Sequence, residues 1–174
     1  MIKPDAWVPL ASIARAHGVR GEVRLNLYNR DSDMLMDADE VLLRHPNGEE
    51  EEVSIDGARR ANDAILMRLH GVADKDKADA LRGAQLCLKR ADFPALEDGE
   101  FYVCDAVGAA VTLNGAPLGK VKDIVFYPTV SVLVVDGEDG KPPWEVPLTD
   151  AYVGTVDLEN AKVDLISIDD LERK

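Results

Sequence analysis

Histidine and cysteine are scarce in this sequence: three histidines and two cysteines in 174 residues, with only nine aromatic side chains. His17, His45 and His70 stand far from one another and from Cys87 and Cys104, and no histidine pair has metal-ligand spacing. G-x-S-x-G, G-x-x-x-x-G-K and G-x-G-x-x-G are all missing, which removes the nucleophile elbow, the phosphate-cradling loop and the dinucleotide fingerprint. The carboxylate run at 49–52 reads as a solvated loop and strand edge, not a catalytic pair. No metal, cofactor or catalytic residue is expected. Long apolar runs are missing too, and none approaches the roughly 18 residues of a membrane span. The opening MIKPDAWVPLASIARAHG is interrupted by Pro9 and Arg15 and has no clear small-residue cleavage site, so no export signal is read there. The expectation is a cytoplasmic protein with reduced thiols and no membrane partner.

Acidic charge is plentiful. The chain has 33 acidic against 20 basic side chains, a net charge of -13 and a pI near 4.6. Its distribution is uneven: residues 1–96 hold 14 basic against 17 acidic, a net of -3, whereas 97–174 hold 6 against 16, a net of -10. Within the first half, residues 1–30 carry a local +3. Two ends of such different charge suit different partners.

Apolar content of 46% supports a real core, and its period is mostly two, the mark of half-buried strands. In RGEVRLNLY, Val23, Leu25 and Leu27 share one face while Arg24, Asn26 and Tyr28 share the other. Further strands are expected at 40–44, 51–55, 63–69 and 85–89, a spacing that suggests a small barrel or sandwich. DKDKADALRG at 74–83 reads as a short helix, with Asp74 as N-cap and Gly83 as stop. Pro94, paired acids and Gly99 then mark a linker, with the boundary near 95–99 and domains at 1–94 and 98–174. In the second half, Asn-Gly at 114–115 predicts a hairpin between AAVTL and LGKVKDIVF. VSVLVV at 130–135 reads as a buried strand, PWEVPL as a strand kept to an edge or end by its prolines, and DLENAKVDL as strand, turn, strand. The fold class is all-β, with a short helix before the linker.

Two stretches attract functional attention. In AHGVRGEVRL at 16–25, Gly18 and Gly21 permit the positive φ of a tight turn. With a strand starting near Arg20, Arg20, Glu22 and Arg24 would share an outer face, the arginines about 13 Å apart. Beside His17, such guanidinium groups could grip phosphates of a structured RNA; the plainer reading is a solvated face partly neutralised by Glu22. In GEFYVCDAVG at 99–108, adjacent Phe101 and Tyr102 read either as partner-binding anchors or as plugs of the core where the domains meet. On a strand they would point to opposite faces, burying one of them.

Taken in order along the chain, IARAHGVRGEVRL, HGVADKDKADALRG, FPALEDGEFYVCDAVG, APLGKVKDIV and WEVPL with VDLENAKVDL resemble the RimM family of bacterial ribosome maturation factors. The resemblance spans nearly the whole chain. It implies an N-terminal β-barrel of the translation-factor and reductase type, followed by a C-terminal PRC-barrel. It also implies a non-catalytic role in late processing of small-subunit ribosomal RNA, binding to free 30S subunits, and a main partner in the nineteenth small-subunit ribosomal protein, held chiefly by the second barrel. The family's aromatic pair, usually two tyrosines, falls on Phe101 and Tyr102, so any hydrogen bond made by the first hydroxyl is lost here. Residues 127–131 and the Asp170-Leu171 pair depart from the family pattern. A monomer is expected, with RNA contact secondary to the protein contact. A flavin- or nucleotide-binding enzyme and a general PRC-barrel scaffold are the alternatives; they predict a bound chromophore or cofactor and no preference for 30S particles, respectively.

Overall fold

The computed structural model describes residues 2–97 and 100–173, so Gly99, expected in the linker, lies outside the described residues. The chain divides into two compact units, one spanning Lys3–Ala95 and another that takes in Leu96–Lys174. Both are built from strands, with few and short helices. No helix among the described residues is long and apolar enough to cross a membrane.

In the first unit β1 (Trp7–His17), β2 (Glu22–Leu27), β3 (Glu40–Arg44), β4 (Glu50–Ala61), β5 (Ala64–Leu69) and β6 (Gln85–Lys89) close a barrel in the order β1-β2-β5-β4-β3-β6. Alternation along each strand sends Ile13, Val23, Leu25, Leu43, Ile65, Met67 and Leu86 into one interior where each is at most 1% exposed. Full burial of such side chains stabilises by roughly 1.5–3 kcal/mol each. Two strands differ from expectation. The sequence pattern over 7–17 does not announce β1, and over β4 it marks only 51–55. In both, extra residues break the period: the register slips between Pro9 and Ala11, between Ile13 and Arg15, and between Ile55 and Gly57.

Helix α1 (Lys75–Ala80) starts where expected, the Asp74 carboxylate accepting from the Lys77 N–H at 2.9 Å. It stops earlier than the expected 83, in a turn that ends with Gly83 at φ +85°. Ala78 seals it to the barrel core, and the Ala16 N–H donates to Asp79 Oδ1 at 3.3 Å, tying the helix to β1.

The second unit opens with a single helical turn, α2 (Val103–Ala106), followed by β7 (Ala110–Leu113), β8 (Ala116–Phe126), β9 (Ser131–Gly137), β10 (Trp144–Pro147), β11 (Val153–Asp157) and β12 (Lys162–Leu165). The sheet order is β10-β9-β8-β7-β12-β11, antiparallel except for the β12–β7 pair, which is parallel. Asn114 at φ +49° and Gly115 at φ +82° make the expected tight turn of the β7–β8 hairpin, a geometry that follows the right-handed twist of its strands. The sheet curls about Val111, Val121, Leu133, Val135, Val146, Val163 and Leu165 into a barrel-like body, but its hydrogen bonding leaves β10 and β11 as edges. As its prolines required, β10 is an edge strand, and Arg173 bridges to Trp144 beside it.

Candidate functional site

The β1–β2 hairpin carries the first candidate group. Strand β2 begins at Glu22, so Arg20 lies in the turn and not, as expected, on a strand face shared with Arg24. The turn takes Gly18 at φ +65° and Gly21 at φ +80°, and a Cβ on Gly21 would stand 2.8 Å from the carbonyl carbon of Val72 and closer still to its oxygen. The hairpin tip is thus seated on the loop before α1, and His17, Val19 and Arg20 project as an exposed cap. Arg24 stands apart from that cap. Its side chain is only 29% exposed, and its guanidinium donates to Asp63 at 3.1 Å. His17 and Arg20 therefore form one exposed group, whereas Arg24 belongs to the barrel wall.

That wall holds arginines the sequence reading did not single out. Strand register sets Arg15 opposite Arg24, Arg24 opposite Leu66, and Leu66 opposite Arg59; one step along, Glu22 faces Arg68 and Arg68 faces Gly57. Arg59 donates to Glu22 at 3.2 Å. Two shallow depressions mark the surface, one of about 200 Å³ lined in part by Arg24, Arg30 and Asp63, the other of about 290 Å³ lined in part by Glu22, Arg59 and Arg68. Their charged linings differ from the mostly apolar pockets that hold drug-sized ligands and cofactors. The signal that could have found Arg59 is the length of β4, which the Ile55–Gly57 slip hid; Arg68 lies on the expected strand β5, and only the cross-strand register sets it beside Glu22 and Gly57.

Arg60, next to Arg59, points elsewhere. It donates to the carbonyls of Arg30 at 2.9 Å and Ser32 at 2.8 Å and pairs with the Asp33 carboxylate, clasping the connection between β2 and β3.

In the second unit, Phe101 and Tyr102 are not on a strand: they form the extended lead into α2, whose N-cap is Tyr102. The Asp105 N–H donates to the Tyr102 carbonyl at 2.9 Å. Phe101 is half-buried and packs against this unit's own core, and Tyr102 is also half-buried. More exposed aromatic surface lies at the β8–β9 turn, where Phe126 is 67% and Tyr127 48% exposed. That turn falls in the stretch that departs from the family pattern.

At the C-terminal end, Arg173 stacks on Trp144, 3.4 Å from the ring centroid, and donates to Asp139 at 2.8 Å. This bond holds the Asp139 carboxyl below its ordinary range. Burial raises the pKa of the Cys87 thiol, and neither Cys87 nor Cys104 forms a disulfide. Among the described residues no group of three or more His, Cys, Asp or Glu side chains is arranged to hold a metal ion.

Comparison with known proteins covers both units. Residues 8–93 match the RimM N-terminal domain and residues 103–171 the RimM PRC barrel domain. A ribosome maturation factor RimM from Sorangium cellulosum is 45% identical over 166 residues, covering 95% of this chain and 97% of that protein. Its counterpart in Myxococcus xanthus is 34% identical over 164 residues, covering 94% and 87%. A solved RimM structure from Pseudomonas aeruginosa is 23% identical and covers 93% of this chain and 98% of that one, with a TM-score of 0.48.

Proposed function

The chain belongs to the RimM family of ribosome maturation factors, and on that footing we propose that its two units divide the work of small-subunit assembly without covalent chemistry. The second unit, proposed to run over 98–174, holds a basic ribosomal protein, the nineteenth of the small subunit. The first, proposed over 1–94, touches the neighbouring RNA through His17, Arg20 and Arg24. The chain acts as a cytoplasmic monomer on free 30S particles during late assembly of the subunit head and processing of 16S RNA.

The observation that carries this reading is the division of charge. A net of -10 over residues 97–174 complements a basic client and steers its approach. Exposed Phe126 and Tyr127 at the β8–β9 turn, together with half-buried Tyr102 before α2, are aromatic side chains of the kind enriched in protein interfaces. The overall charge of -13 repels RNA at long range, so RNA contact follows docking of the client and is lost once the client is buried in its mature place.

Co-sedimentation with free 30S subunits and with intact 70S ribosomes tests the proposal. Because Phe101 packs on the core, the informative pair is Tyr102→Ala and Phe101→Leu, which keeps apolar volume at 101. Selective pelleting of the wild type with 30S, weakened by Tyr102→Ala, supports the reading. A wild type that pellets with neither particle at low and moderate salt overturns it, and equal pelleting with both points to a general scaffold.

A further inference from the structure

In a chain with 33 carboxylates, the side chains of Arg15, Arg20 and Arg68 make no hydrogen bond or ion pair with any described residue. Arg15 and Arg68 lie on the same outward wall as Arg24 and Arg59, across β1, β2, β5 and β4. Adjacent strands are about 4.8 Å apart, so the row from Arg15 to Arg59 spans roughly 14 Å. At one charge per ~3.4 Å of helix axis for each strand of a duplex, a row of that length lying along the axis would face at most about four phosphates of one strand. The acids facing it are Glu22, paired with Arg59 at 3.2 Å, and Asp63, paired with Arg24 at 3.1 Å. Asp56, at the far end, is 3.4 Å from His70.

Packing beneath the arginines favours a built surface over a scatter of solubilising charges. Leu66 points outward from the barrel, away from the interior that holds Ile65 and Met67, yet it is only 2% exposed. Arg59 and Arg68 line the depression that Leu66 floors, so their alkyl stems cover it and their charged heads stay at the rim. Gly57 makes room for this: a Cβ there would sit 3.0 Å from a terminal guanidinium nitrogen of Arg68. Arg59 keeps 56% of its side chain exposed and can exchange its bond to Glu22 for one to a phosphate.

We propose that the outward wall of β1, β2, β5 and β4 is a phosphate-binding face that takes the backbone of a ribosomal RNA strand, with Arg15, Arg59 and Arg68 as its principal cations. It rests on the reading that the chain works on the small subunit, and it moves the main RNA contact from the hairpin cap to the barrel wall. Guanidinium contacts to phosphates position a strand without reading its bases, so the face follows the shape of the RNA and responds to salt.

The test compares binding of the full chain to free 30S subunits between 50 and 200 mM salt for wild type, Arg15→Gln/Arg68→Gln and Arg15→Lys/Arg68→Lys, with hydroxyl-radical footprinting of the 16S RNA in each complex. The glutamine variant should bind more weakly, with a salt slope shallower by about 1 per arginine. It should also lose a stretch of ribose protection that the lysine variant largely keeps. Unchanged affinity and slope in the glutamine variant overturn the proposal. Weaker binding with an unchanged footprint also overturns it and assigns the wall to an acidic protein surface. If the wild type fails to bind 30S, the proposed function falls, and fluorescence anisotropy on a short RNA duplex at low salt decides the wall separately. Tighter duplex binding by wild type than by the glutamine variant upholds the phosphate face; equal binding or none removes it.

Discussion

Gly18 and Gly21 sit three residues apart in one turn with similar backbone angles, φ +65° and +80°, and replacing each by alanine separates two physical effects. At Gly18 a Cβ meets nothing within 4 Å. The substitution costs the left-handed backbone term, about 1–2 kcal/mol, less the ~0.4–1 kcal/mol by which alanine restricts the unfolded chain, a net near 1 kcal/mol. At Gly21 the same term applies, and the new methyl is also driven into the carbonyl of Val72, 2.8 Å from its carbon. Because the obstacle is backbone, no rotamer relieves it and the hairpin must lift from the loop before α1. An overpacking penalty of about 1–3 kcal/mol follows, so Gly21→Ala should exceed Gly18→Ala by that amount. The two tryptophans make this measurable, since Trp7 lies in the first unit and Trp144 in the second. In a common Trp144→Phe background, urea unfolding followed by the remaining tryptophan reports on the first unit. With m of about 1–3 kcal/mol/M, an added 2 kcal/mol lowers the midpoint by roughly 0.7–2 M. Equal midpoints for the two variants would refute the argument that Gly21 is required by the Val72 carbonyl.

Arg60→Met removes a guanidinium that holds two carbonyls and the Asp33 carboxylate; a loss of about 1–3 kcal/mol is expected, with faster hydrogen exchange at Met36, whose N–H donates to the Asp33 carbonyl. Unchanged exchange there would mean that the β2–β3 connection holds itself. For Asp139, the Arg173 bond lowers the folded pKa below the ordinary 3.8, so its contribution to stability is present above that value and fades as pH falls through the lower, folded pKa. Trp144 fluorescence, which senses the stacked Arg173, should change over that acid range in the wild type and not in Asp139→Asn. Cys87 is fully buried and its thiol pKa is raised; iodoacetamide at pH 8 should leave it unmodified in the native protein and alkylate it in denaturant, and native labelling at Cys87 would contradict the barrel packing.

Strand content, the N-cap at Asp74, the Asn114–Gly115 hairpin and the acidic second half were legible in the sequence because each depends on neighbours within a few residues or on composition. The family was legible because its motifs recur in order along the chain. Strand β1 and the second half of β4 were not, because bulges slip the two-residue alternation. Phe101 and Tyr102 read as a strand pair because adjacency alone does not reveal the helical turn that begins at Val103. Arg20 and Arg24 looked like one constellation because they are four residues apart; the turn and the Asp63 pair separate them. By itself the sequence determined what is apolar, where the chain turns and how its charge divides. Only the tertiary structure decided which arginines meet: Arg15 and Arg59 lie 44 positions apart, and the closure of β1, β2, β5 and β4 into one wall puts them in a single row, because register across strands is fixed by burial of the opposite face.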